Sequence, residues 1–274
     1  AKDSDIKREN ANIDGDTAMG TMLKYGSVSA KEFYELYVLD PVHAKAHANG
    51  DIHIHDLDFL TLTTTCCQID LIKLFKDGFS TGHGFLREPN DISSYSALAC
   101  IAIQSNQNDQ HGGQSIPNFD YAMAPGVKKT YRRRYIQNVA KGLNMLADIE
   151  NCDEIAEKIS ADIFDSIGLS PVLANDNDYQ KYEFDKLLEY TNKETAEKIQ
   201  SFARKSAFKE TNRATYQAME ALVHNLNTMN SRAGAQTPFS SINYGTDTSP
   251  EGRMVIENIL LANEAGLGNG ETPI

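Results

Sequence analysis

The chain has 274 residues, 41% hydrophobic and 23% charged, the proportions of an ordinary globular protein long enough to bury a substantial core. Lys plus Arg number 26 against 38 Asp plus Glu, and the formal net charge of −12 works against a broad electrostatic grip on nucleic acid or an anionic membrane. No run approaches ~18 apolar residues and the opening AKDSDIKREN lacks the apolar stretch of an export signal, so the expectation is a cytoplasmic chain whose cysteines (Cys66, Cys67, Cys100, Cys152) stay reduced.

Ser29 and Glu32 form a capping-box pattern ahead of FYELYVL, and PVHAKAHANG ends in Asn-Gly, so two helices are predicted before residue 51. In DIHIHD, Ile52 and Ile54 alternate with His53 and His55 at the period of a strand, which puts both imidazoles on one face. With Asp56 and Asp58 nearby, such a pair can be the first half of a divalent-metal site, as in a metal-dependent barrel hydrolase. That site needs further ligands from later strands, and His43, His47, His83, His111 and His224 do not occur in strand-end contexts. Substrate contact and structural hydrogen bonding are the other readings of the pair.

Cys66 and Cys67 follow directly. Adjacent side chains of an extended chain diverge, which disfavours a shared metal, and a disulfide between neighbours strains the peptide that joins them. At most one of the two thiols is placed for chemistry, with burial as small core residues the alternative. QIDLIKLFKDG then has the spacing of a short helix closed by Gly78, and DISSYSALACIAIQSNQ that of a small-residue helix suited to close packing.

Residues 104–120, QSNQNDQHGGQSIPNFD, crowd amides, two glycines and a histidine into one segment. Amides donate and accept, which suits a neutral polar ligand, and Gly112-Gly113 permits close backbone approach; a solvated loop is the alternative. KKTYRRRY holds five cations within residues 128–134, with Lys129 and Arg133 on one helical face and Lys128 and Arg132 on another. A phosphate, a subunit contact or a solvated acid-paired face would each account for them. From Pro125 to about Asn230 the spacing is mostly helical. QTPFSSINYG then reads as a strand feeding a helix, with Ser249 as N-cap, Pro250 at the first helical position and Gly266 at the end. The intervening NYGTDTSPEG offers backbone N–H groups to an anion. No repeat or linker divides the chain, and the architecture expected from these elements is α/β with a helical insertion.

Taken together and in order, ENANIDGDTAMGTMLKYG, GDIHIHDLDF, TTTCCQIDL, GFSTGHG, IAIQSNQNDQHGGQSIPNFDYAMAPGV and SRAGAQTPFSSINYGTDTSPEGRMV closely resemble the anaerobic (class III) ribonucleoside-triphosphate reductases. These are glycyl-radical enzymes, and the resemblance runs from about Glu9 to Ile274. It implies a fold similar to pyruvate formate-lyase, a ten-stranded α/β barrel of two five-stranded parallel halves around a finger loop. Residues 1–274 would be a single partial domain, one barrel half with its dimerisation helices. The activity implied is reduction of ribonucleoside triphosphates to deoxyribonucleoside triphosphates with formate as reductant. A radical S-adenosylmethionine activase installs the glycyl radical, and a finger-loop thiyl removes the 3′ hydrogen.

The family's barrel-strand cysteine falls on Cys66, which is expected to face the ribose in an enclosed chamber as hydrogen-atom donor, with Cys67 packed away from it. His53, with His55, is expected beside it, and Gln236, Ser240 and Asn243 at substrate or phosphate. Nucleotide effectors (ATP and deoxynucleotides) bind such enzymes at a helical homodimer interface. The helices around 88–104 and 126–145 resemble that surface, and Arg133 is the candidate for an effector phosphate. The resemblance covers the part up to GNGETPI, so the finger-loop cysteine, the four-cysteine zinc site, the radical glycine and an upstream ATP-cone region are expected outside these residues. The expectation is therefore a fragment, silent in catalysis alone. A nucleotide-binding or dimerisation module without turnover, and a metal hydrolase built on His53 and His55, are the alternatives.

Overall fold

The computed structural model describes residues 8–9, 13–61, 64–174 and 177–273. Near the start, β1 (Arg8–Glu9) and β2 (Ile13–Asp14) pair antiparallel and lead into α1 (Ala18–Tyr37). Thr17 begins that helix, its hydroxyl accepting from the Gly20 N–H at 3.0 Å. The Ser29–Glu32 pattern is thus internal to α1, because a better cap stands three turns upstream. Helix α2 (Pro41–Ala48) follows, capped by Asp40 with proline at its first position.

The strand expected at Ile52–His55 does not form. The backbone N–H groups of Ile52 and Ile54 turn back to α2, to the Ala46 carbonyl and to His47 Nδ1. Asp56 then adopts a left-handed φ of 50°, and a 3₁₀ turn covers Leu57–Phe59. Period-two apolarity is a necessary sign of a strand, but here the backbone donors already have partners in a helix.

Past Cys66 come β3 (Cys67–Gln68), α3 (Leu71–Asp77) closed by Gly78, the antiparallel hairpin of β4 (Phe79–Ser80) and β5 (Phe85–Leu86), and α4 (Ile92–Asn106). Strand β6 (Gln114–Ile116) leads to four helices, α5 (Phe119–Ala147), α6 (Cys152–Ile167), α7 (Asn177–Leu187) and α8 (Lys193–Thr228). The chain closes with β7 (Ser240–Ile242) and α9 (Pro250–Ala265), capped by Ser249 and ended at Gly266. No described helix is long and apolar enough to cross a membrane.

Strands β3, β6 and β7 form one parallel sheet in that order, with Cys67, Gln114 and Ser240 in one row and Gln68, Ser115 and Ser241 in the next. Among the described residues this parallel sheet has three strands, where the resemblance implied five. Helices α4, α5, α8 and α9 cover one face, on which Ile69 and Ile116 join a core with Ile103, Phe119, Met123, Met219 and Val255. A second core lies among α5, α6, α7 and α8, around Tyr135, Leu143, Ile163, Leu187 and Ile199. Helix α5 contributes its buried residues to both cores. Its exposed positions include Lys128, Arg133, Gln137 and Lys141.

Candidate functional site

Among the described residues the sheet is covered on one face only. Alternation sends Cys67 towards the helical core and leaves Cys66 exposed on the other side, where a groove of about 430 Å³ opens. All three strands contribute to it, with Cys66, Gln68, Gly113, Ser115, Phe239 and Ser241 among its lining residues. Below the sheet, Asn106 Nδ2 donates to Cys67 Sγ at 3.0 Å and to Gln114 Oε1 at 2.8 Å, fixing the row beneath the groove. Cys100 and Cys152 are buried elsewhere, and burial pushes the Cys100 thiol up to about 11. A groove carrying one exposed thiol among hydroxyls and amides can hold a polar ligand against sulfur.

His53 and His55 lie in a different cavity, of about 720 Å³, bounded by α1 and the segment 53–59. Their rings are 5.7 Å apart, and His47 is 5.7 Å from His53 on its other side. His47 Nδ1 accepts the Ile54 N–H, so its proton is on Nε2, 3.9 Å from Glu35. Asp56 lies between two imidazoles, with Oδ2 3.5 Å from His55 Nε2 and Oδ1 3.3 Å from His111 Nε2. His111 is buried and stacked on Phe59, and its backbone N–H donates to the Thr64 carbonyl behind the cysteines. His53 and Cys66 line two different cavities. Among the described residues no group of three or more His, Cys, Asp and Glu side chains is arranged to hold a metal ion, so the metal-hydrolase reading lacks a donor set.

The amide-rich segment is anchored by buried glutamines at one end and reaches the groove with Gly113 and Ser115 at the other. Gln107, Gln110 and Gln114 are buried, and Arg232, on the far side of the helical excursion, ties the segment down. Its guanidinium donates to the carbonyls of Gln107 and Gln110 and, at 2.9 Å, to Gln236 Oε1, while Ser231 donates to Gln107 Oε1. Burial lowers the Arg232 pKa. Gln236 therefore sits buried in this network rather than on the late strand. Ser240 is on β7 at the groove, and Asn243, just beyond it, is exposed, its backbone N–H donating to the Ile116 carbonyl. Arg133 is on the outer face of α5 and bonds Asp91, the N-cap of α4, at 3.0 Å.

The anion expected at NYGTDTSPEG comes from the chain itself. Asp120, fully buried in the first turn of α5, accepts on Oδ2 the N–H groups of Gly245, Thr246 and Asp247 at 2.8, 3.1 and 3.0 Å. Burial pushes its carboxyl up, but these donors and the Tyr121 N–H outweigh that and hold it below the usual range. Asp120, Arg232 and Asn106 escape a reading of the sequence because their partners lie far along the chain. Only the Asn-Phe-Asp at 118–120, an acidic residue opening a helix, offered a sign.

A family model described as anaerobic ribonucleoside-triphosphate reductase matches residues 9–274. Proteins of that name are 26% identical in enterobacteria phage T4, over 98% of this chain and 35% of the relative, and 25% identical in Escherichia coli K12, over 96% and 29%. The relative from Salmonella typhimurium is 26% identical over 97% of this chain and 29% of its own length. The chain thus spans about a third of the length of the curated relatives it matches.

Proposed function

From the premise that this chain belongs to the anaerobic ribonucleoside-triphosphate reductase family, we propose that it carries the strand-borne thiol of a reductase converting ribonucleoside triphosphates to deoxyribonucleoside triphosphates. The observation that carries this is the sheet with its one uncovered face, from which Cys66 projects into the groove. Parallel sheets are ordinarily covered on both faces, and a barrel in which β3, β6 and β7 form one sector would give the open face its cover. In such a chamber the S–H bond of Cys66 is weak enough to yield its hydrogen atom to a carbon-centred radical on the ribose. The hydrogen atom leaves with one electron, and sulfur keeps the other as a thiyl. Enclosure keeps water and oxygen from those intermediates.

Ser240, Asn243 and Gln236 belong to this reading as substrate or phosphate contacts, supported by Ser240 lying on β7 at the groove, and His53 and His55 as further substrate contacts from their own cavity. When present, a glycyl radical installed by a radical S-adenosylmethionine activase supplies the initiating unpaired electron, and formate the reducing equivalents. Homodimerisation, and effector nucleotides (ATP or deoxynucleotides) near Arg133, belong to the same reading. The test is deoxyribonucleotide formation by the polypeptide that carries this chain, assayed with activase and formate. Cys66→Ala is expected to abolish turnover while Cys67→Ala retains it. Wild-type turnover by Cys66→Ala would overturn the assignment. Tight nucleotide binding with no turnover by the unaltered enzyme would favour the binding-module alternative.

A further inference from the structure

Resting on that reading of Cys66, we propose that Gly112 is a positioning residue for the Cys66 thiol. Gly112 lies across the segment that bears the sulfur, and the contact is closer than any side chain permits. A Cβ at this position would stand 1.7 Å from the Thr65 carbonyl oxygen and 3.3 Å from Cys66 Sγ, and its φ of +92° disfavours an L side chain. The residues on either side are hydrogen-bonded to the same segment. The His111 N–H donates to the Thr64 carbonyl at 3.2 Å, and the Gly113 carbonyl accepts the Cys67 N–H at 3.2 Å. The two bonds hold the ends of Thr64–Cys67 in place, and Gly112 presses on the stretch between them. The sulfur direction is therefore set by backbone contact from another segment.

That segment is itself fixed from behind. The His111 imidazole is stacked on Phe59 with ring centres 3.9 Å apart, and its Nε2 is 3.3 Å from Asp56 Oδ1. Loosening Asp56 should be transmitted through His111 to Gly112 and then to Cys66. The neighbouring glycine gives a built-in control, because a Cβ on Gly113 would meet Phe239 only at ordinary contact distance, 3.5 Å.

The experiment compares alkylation of Cys66 and Cys67 by iodoacetamide in the folded chain, read by peptide mass spectrometry, with melting followed in parallel. In Gly112→Ala the new methyl abuts Cys66 Sγ and breaks the Cys67 pairing, so the Cys66 to Cys67 ratio should fall about fivefold or more. Gly113→Ala should leave it unchanged. Asp56→Asn, which keeps the shape and tolerates a left-handed φ, should lower the ratio in the same direction, and it carries the test if Gly112→Ala does not fold. A ratio unchanged in folded Gly112→Ala, or in Asp56→Asn when the alanine variant fails to fold, would overturn the proposal. So would an equal fall in Gly113→Ala. None of these readings depends on turnover, so a Cys66 without a part in nucleotide reduction would show separately in the Cys66→Ala assay.

Discussion

Asp120 and Glu183 are both sealed from water, one where the sheet meets α5 and the other among α5, α7 and α8, yet their environments drive them in opposite directions. Asp120 receives four backbone N–H groups and is held below the usual carboxylate range despite burial. Burial raises Glu183 to about 7, and the side-chain donors Tyr135 at 2.7 Å and Gln200 at 2.9 Å, with Tyr179, only partly offset it. The difference lies in the donors. Backbone N–H groups converging from a loop and a helix start are fixed in place and add to the helix dipole, whereas hydroxyls and an amide solvate less completely. The sheet end of the molecule thus holds a permanent charge, and the helical body holds a carboxyl that keeps its proton into the neutral range.

The largest expected effect is at the sheet end. Asp120→Ala should cost about 3–5 kcal/mol in denaturant unfolding, because it strips three N–H groups, that of buried Asp247 among them, of their shared acceptor. A loss under about 1 kcal/mol would mean that the loop re-solvates and that the two carboxyls do not differ as described.

For Glu183 the sign reverses. The unfolded chain releases this proton near the ordinary 4.5 while the folded chain keeps it to about 7, so stability falls as pH rises through that window. Glu183→Gln should remove this slope, and the stability difference between variant and wild type should shift by about 3 kcal/mol in the variant's favour between pH 4 and pH 8. A parallel pair of profiles would contradict the raised pKa.

The smallest effect belongs to the surface. Arg133→Ala breaks an exposed pair with Asp91 and should change stability by less than about 1 kcal/mol. If Arg133 holds an effector phosphate, equilibrium dialysis with deoxynucleotides should show weakened binding in the same variant.

Local signals in the sequence located much of the helical frame. Ser249, Pro250 and Gly266 marked both ends of α9, and Gly78 marked the end of α3, because caps and stops act within a turn of where they occur. The same locality misled at Ser29, where a pattern typical of a helix start occurs inside α1, and at Ile52–His55, where the alternation was real but the backbone donors were already bonded. Strand alternation pointed to opposite sides for Cys66 and Cys67, while nothing local marked the Gly112 contact with Cys66. Nothing local marks Arg232 as the partner of Gln107 and Gln110, or Asp120 as the anion of the 245–247 loop. Those pairings depend on which distant segments the fold brings together.

The middle strand β6 also sets an order of assembly. Its partner β7 comes about 120 residues later, after α5 to α8, so closing that ladder costs more chain entropy than pairing neighbouring helices within that excursion. The helical excursion is therefore expected to condense first and bring the strand ends together. The three-stranded floor under the thiol forms only with this closure, and during synthesis it waits until Ser241 has left the ribosome.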